Sequence, residues 1–184
     1  MIDTRATPDL PASLAEIVQA AAAQTLPPVE RWHPERTGDS EMRIARDGTW
    51  FHQDAPIPRP EMVRLFSTIL RREPDGRYVL VTPAEKLDIV VEDAPFIAVA
   101  MASEGEREAR RLGFTLNTGD PVVAGPGHAI SLRGETPYLH VRGGLEARIA
   151  RPVYYELAEI ALAEGGDPPG VWSEGVYFPL MDAA

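Results

Sequence analysis

The sequence predicts an α+β protein of two related β-rich units, each a mainly antiparallel sheet with one packed helix, plus an N-terminal helix. Three observations carry that prediction. Short segments of alternating apolar residues recur through most of the chain, glycine-centred turns separate them, and the steps Arg59-Pro60 and Arg151-Pro152 each open a stretch of helical periodicity. The division that follows is an arm and helix over 1–34, a first unit over 35–84 and a larger second unit over 85–184.

Residues 1–12, rich in proline and polar side chains, predict a loose arm. Ser13-Leu14-Ala15-Glu16 reads as a capping box, so a helix runs from about Leu14 to Gln24, and Pro27-Pro28 prevents it from continuing. Strands are predicted over Met42 to Arg46 and Thr49 to Gln53, joined by Asp47-Gly48, a pair suited to a tight hairpin turn. Pro56, Pro58 and Pro60 forbid a central strand. Pro60 suits a first helical turn, and Met62, Leu65, Phe66 and Ile69 give one apolar stripe ending near Arg72.

Beyond Pro74-Asp75-Gly76, strands are expected around Tyr78 to Val81 and Lys86 to Val91. The continuous apolar run Phe96 to Ala102 suits a strand buried on both faces, and Leu112, Phe114 and Leu116 alternate in the next. Shorter strands cover Val122-Val123, Ala129 to Leu132, Tyr138 to Arg142 and Leu145 to Ile149, the last pair turning at Gly143-Gly144. A helix opens at Pro152 and stops before Gly165-Gly166, and strands near Trp172 and Tyr177-Phe178 follow.

An internal repeat is expected from Trp50-Phe51-His52 leading to Arg59-Pro60 and a helix, against Tyr138-Leu139-His140 leading to Arg151-Pro152 and a helix. One insertion, the Gly143-Gly144 hairpin, reconciles the two copies. A repeat of this kind predicts a seam between halves, and seams are common places for ligand pockets.

Eighteen Lys and Arg against twenty-eight Asp and Glu leave a net charge of −10, which repels phosphate backbones and anionic lipid surfaces. Neither nucleic acid nor a membrane is expected as a partner. An apolar fraction of 44% suffices for a core, and the absence of cysteine excludes disulfides, thiolate catalysis and cysteine-ligated metals. A reducing cytoplasm is the expected location, since the apolar run Ile17 to Ala23 is too short and too polar for an export signal or a span.

No cofactor, metal or catalytic set is predicted. Gly119 to His128 is similar to the second metal-binding motif of cupin barrels, yet no His-x-His precedes it, so it reads as a strand between turns. No nucleophile elbow and no glycine-rich phosphate loop occurs. What remains is the hairpin at 138 to 149. Pairing Val141 with Glu146 and Leu139 with Arg148 places Glu146 and Arg148 on one face and His140 with Arg142 on the other. Either arginine could clamp a carboxylate or phosphate, and His140 could accept a proton. Glu92-Asp93 forms a second candidate, an acidic doublet at a strand end able to meet those arginines across the seam. Trp50 and His52 complete the candidate ligand-binding set.

Asp47-Gly48-Thr49-Trp50, Met62 to Phe66, Leu80 to Lys86, Val91 to Phe96, Tyr138 to Arg148 and Gly170 to Ser173 together resemble the bacterial family named domain of unknown function 1285, over about residues 39 to 181. The resemblance implies an α+β protein with repeated motifs and a signalling or regulatory role. It implies no catalytic residue; its matching segments contain His140, Arg142, Glu146, Arg148, Glu92 and Asp93.

The function expected is therefore a non-catalytic small-molecule-binding or protein-interaction module, its partner a small molecule or protein not identified by sequence. The rival is an enzyme with His140 as general base and Arg142 or Arg148 holding an anionic substrate. Homodimerisation, through a sheet edge or the N-terminal helix, is a further expectation.

Overall fold

The computed structural model describes residues 13–181; the arm expected over 1–12 lies outside them. Helix α1 (Leu14–Ala23) begins at the expected capping box, with the Glu16 N–H donating to Ser13 Oγ at 3.3 Å and the Ser13 N–H donating to Glu16 Oε2 at 2.9 Å. The first sheet then uses β1 (Arg36–Ile44), β2 (Trp50–His52), β3 (Ala55–Pro56), β4 (Leu70–Arg72), β5 (Tyr78–Val81) and β6 (Glu85–Val91), with α2 (Pro60–Thr68) between its third and fourth strands. The second sheet uses β7 (Phe96–Glu104), β8 (Arg111–Leu116), β9 (Pro121–Val123), β10 (Ile130–Arg133), β11 (Thr136–Arg142) and β12 (Leu145–Ile149). Helix α3 (Arg151–Glu164) and a hairpin of β13 (Gly170–Ser173) and β14 (Val176–Pro179) complete the described chain.

The two sheets share one topology. Their orders, β3-β2-β1-β6-β5-β4 and β9-β8-β7-β12-β11-β10, are identical when strands are counted from the start of each unit. In both, two meanders meet in the middle through a parallel pair, β1 with β6 and β7 with β12, and every other pairing is antiparallel. Even the exit from the sixth strand repeats, the Glu92 N–H donating to the Ile44 carbonyl and the Ala150 N–H to the Ala98 carbonyl. Two related units are therefore present, but their equivalences differ from those expected. Trp50 stands in the second strand of its unit and Tyr138 in the fifth of its own, and the helices occupy different connections. The aromatic-apolar-His match reflects strand composition, not corresponding position.

Several local expectations shift for physical reasons. β1 starts at Arg36 rather than Met42, because its first half is solvated on both faces and shows no apolar alternation. The helix expected to reach Arg72 ends at Thr68; Leu70 and Arg71 are both buried and pair with Leu80 and Val79 in a hairpin. Burial on both faces of β7 holds only from Phe96 to Ala98, and Val99 is 41% exposed. Strand β6 pairs within the first sheet, so that sheet runs on to Val91.

One continuous core joins the units, with Ile44, Trp50, Leu70 and Leu80 of the first packed in the same cluster as Phe96, Leu116, Leu139 and Leu145 of the second. Helix α1 lies against β8 and β9 of the second sheet, where Gly113 leaves room for Leu14 and Ile17. No helix among the described residues is long and apolar enough to cross a membrane.

Candidate functional site

Gly143 and Gly144 close the 138–149 hairpin with φ of +51° and +77°, which side-chain-bearing residues adopt at a cost. The register beyond that turn differs from the expected one. His140 stands opposite Glu146, Leu139 opposite Ala147 and Tyr138 opposite Arg148, with a bulge between His140 and Arg142. A shift of one residue exchanges faces. His140 thus joins Glu146 and Arg148 on one face together with Tyr138, while Arg142 stands opposite the buried Leu145.

That outer face meets the Glu92-Asp93 strand end. Asp93 Oδ1 accepts from the Tyr138 hydroxyl at 2.7 Å, and Oδ2 lies 3.2 Å from Arg148 Nε. Arg148 Nε makes no aligned hydrogen bond, so this contact is an ion pair rather than a bidentate clamp. Arg148 Nη2 then donates to the Arg46 carbonyl at 2.6 Å, carrying the link into the first unit. Beside it, Arg133 pairs with Glu146 at 2.6 Å and lies 3.5 Å from the centroid of the Tyr138 ring. Burial raises the Tyr138 phenol above its ordinary value of 10.0, and its bond to Asp93 adds to the shift.

Glu92, next in sequence, turns the other way. It accepts from the Arg46 N–H at 2.9 Å and from Arg43 Nη1 at 2.6 Å, and in that order these contacts hold its carboxyl below the ordinary glutamate value. The doublet therefore divides its charge, Glu92 bracing the first sheet and Asp93 gripping the second.

His140 is tied down by backbone on both ring nitrogens. Nε2 accepts from the Gly144 N–H at 3.3 Å, which requires the proton on Nδ1, and Nδ1 then donates to the Gly127 carbonyl at 3.0 Å. Neither nitrogen is left for a substrate proton. Arg142 instead reaches the C-terminal end of α2, where Nη2 donates to the Ser67 carbonyl at 2.7 Å. Trp50 is 1% exposed and packs 6.4 Å from the Phe66 ring, with no acceptor for Nε1 among the described residues. His52 is exposed and lines an apolar groove with Met42, Ile57, Met62 and Phe66.

The structure adds a cleft that no sequence pattern announced. About 710 Å³ in volume, it opens between the β10–β11 turn, the end of β12, the first turns of α3 and Leu180-Met181. Arg148 and Arg151 line it with Tyr154 and Tyr155, and Glu135 is the one carboxylate among the described residues that line it. Only the proximity of Arg148 and Arg151 in sequence hinted at it. A smaller cavity of about 210 Å³ lies near the end of α1, lined by Gln24, Asp120, His128 and Arg142 among apolar side chains. No cluster of three or more His, Asp or Glu side chains suited to a metal occurs among the described residues.

Residues 27–94 match the N-terminal domain, and residues 95–180 the C-terminal domain, of the family described as domain of unknown function (DUF1285). A crystal structure of a DUF1285 family protein from Silicibacter pomeroyi DSS-3 is 47% identical, covers 90% of this chain and 94% of its own, and superposes with a TM-score of 0.80. A second, from Shewanella baltica OS155, is 25% identical over 68% of this chain and 92% of that one, with a TM-score of 0.53. No curated protein matches. With both domains matched in order along a shared topology, the chain belongs to the DUF1285 family.

Proposed function

We propose that this chain is a non-catalytic binding module for a small anionic molecule, held in the cleft beside α3. The observation that carries the reading is the pairing of cavity and charge: about 710 Å³ of open space, with Arg148 and Arg151 on its wall in a chain of net charge −10. Pockets for small organic ligands run to roughly 300–1,000 Å³. Guanidinium groups bind carboxylate or phosphate through two parallel hydrogen bonds, and Tyr154 and Tyr155 offer ring faces and hydroxyls for the rest of the molecule.

Arg148 also gives the site a regulatory output. Its guanidinium is shared between the cleft, Asp93 and the Arg46 carbonyl, so an anion that draws it outward competes with the contacts holding the two units together. An enzymatic role through His140 has no comparable support, because it would require breaking one of that ring's two backbone bonds.

Thermal shift against a panel of di- and tricarboxylates and phosphate esters tests the reading, with the parent and Arg151→Ala in parallel. Arg151 is exposed and begins α3, so its truncation leaves the core untouched. A ligand at a hundred times its Kd contributes about 2.7 kcal/mol, which is roughly 5–11 °C in Tm for a chain of this size. The shift should shrink in Arg151→Ala. Equal shifts in both proteins, or none in the parent, would reject the cleft as the site.

A further inference from the structure

Arg142 differs from the paired arginines at the seam. Arg148 faces Asp93, Arg133 faces Glu146 and Arg43 faces Glu92, but no carboxylate among the described residues pairs with Arg142. Among the described residues its guanidinium has one hydrogen bond, to the Ser67 carbonyl, and it lies 5.3 Å from the Phe96 ring centroid. Burial pulls its pKa down, and only the more distant charge of Asp120 pulls it back. The side chain is half-buried, and a guanidinium offers five N–H donors, so most of its donors remain for a ligand that reaches the cavity.

Asp120 is the complement. Its Oδ1 accepts from Gln24 Nε2 at 2.9 Å and its Oδ2 from Thr118 Oγ1 at 2.6 Å, both neutral donors. It forms no ion pair among the described residues. Arg142 and Asp120 line the same cavity of about 210 Å³ without touching, and Ala21, Leu26, Val122 and Val141 supply apolar wall between them.

We infer that this cavity binds a small zwitterion of the amino-acid class, its carboxylate on Arg142, its ammonium on Asp120 and a short aliphatic group against the apolar wall. One molecule carrying both charges satisfies both side chains, whereas a simple anion would approach Asp120 unfavourably. The volume lies below the range of roughly 300–1,000 Å³ for drug-sized ligands and excludes a nucleotide. The site is separate from the cleft beside α3, sharing none of its lining residues.

Isothermal titration with glycine, L-alanine and L-valine, and with propionate and ethylamine as single-charge controls, tests the inference. At least one of the three amino acids should bind the parent, about tenfold or more tighter than either control, the scale of one lost charge-assisted bond. Asp120→Asn keeps a side chain able to bond Gln24 and Thr118, and it should weaken the amino acid about tenfold without weakening propionate. Arg142→Gln should abolish both, and Arg151→Ala should leave them intact. No binding by any of the three amino acids to the parent at millimolar concentration, affinities equal to those of the controls, or affinities unchanged in Asp120→Asn would each overturn the inference. Arg142→Gln loses its bond to Ser67 and is read only if it folds; Asp120→Asn decides the question without it.

Discussion

Removing the Asp93 carboxylate should loosen the contact between the two units, by an amount the structure allows one to work out. Asp93→Ala leaves the Tyr138 hydroxyl without its acceptor in a residue only 5% exposed. An orphaned buried polar group costs about 1–3 kcal/mol. The same change strips Arg148 of its ion pair, but that side chain is 27% exposed and its contact is poorly aligned, so about 0.2–1 kcal/mol is the appropriate scale. The sum centres on about 2–3 kcal/mol, or a fall in Tm of roughly 4–12 °C at 2–4 °C per kcal/mol. Urea denaturation followed by tryptophan fluorescence measures it. Tyr138→Phe should cost less, because Asp93 keeps Arg148, and the double variant should be more stable than the sum of the singles predicts, since no hydroxyl is then orphaned. A loss below about 0.5 kcal/mol for Asp93→Ala, or strict additivity in the cycle, would refute this account of the seam.

Two further outcomes follow from particular contacts. Gly113→Ala places a Cβ 2.8 Å from Ile17 Cγ2 and Leu14 Cδ1, and the branched Ile17 cannot swing aside, so α1 must lift from the second sheet at about 1–3 kcal/mol; hydrogen exchange should show α1 amides opening while β11 and β12 stay protected, and unchanged α1 protection would contradict it. Burial acts to raise the Glu73 carboxyl, but hydrogen bonds and charge from Arg71 and Lys86 outweigh it and hold the group below its ordinary value of 4.5. A depressed carboxylate pKa stabilises the fold above the unfolded value and loses that contribution as pH falls through the folded one. Stability of the parent should therefore drop below pH 4.5 more steeply than that of Glu73→Gln, and parallel curves would count against the pairing.

Much of the local architecture was legible because it rests on residues with one conformational use. Ser13 with Glu16, Pro60, Pro152, Asp47-Gly48 and Gly143-Gly144 each declared a cap, a helix start or a turn. What escaped depends on partners distant in sequence. β4 is three residues long and reads as the end of a helix until Tyr78 to Leu80 comes back to pair with it. The hairpin turn was legible but the bulge beside it was not, and that single extra residue sent Arg142 to the other face from His140. The position of Asp93 at a strand end marks it as a seam residue; that Tyr138 is its donor depends on the register. Tyr154 and Tyr155 carry no sequence signal of a site, because their cleft exists only once Leu180 and the β10–β11 turn fold against the helix.

The repeat itself explains where the chemistry collects. Since β6 and β12 are the equivalent sixth strands, and Glu92 and Ala150 make equivalent backbone bonds on leaving them, Asp93 and Arg151 occupy matching positions in the two units. In the first unit the chain has no helix to build there and crosses directly into β7, so Asp93 is drawn against the second sheet and spends its charge on Tyr138 and Arg148. In the second unit α3 starts at that point, holding Arg151 away from the sheet and opening the cleft beneath it. Arg148 stands between the two, paired with the acid of one exit and lining the cleft beside the base of the other. Under the proposed reading, an anion in the cleft would compete with Asp93 for Arg148, because that one guanidinium both lines the cleft and pairs across the seam.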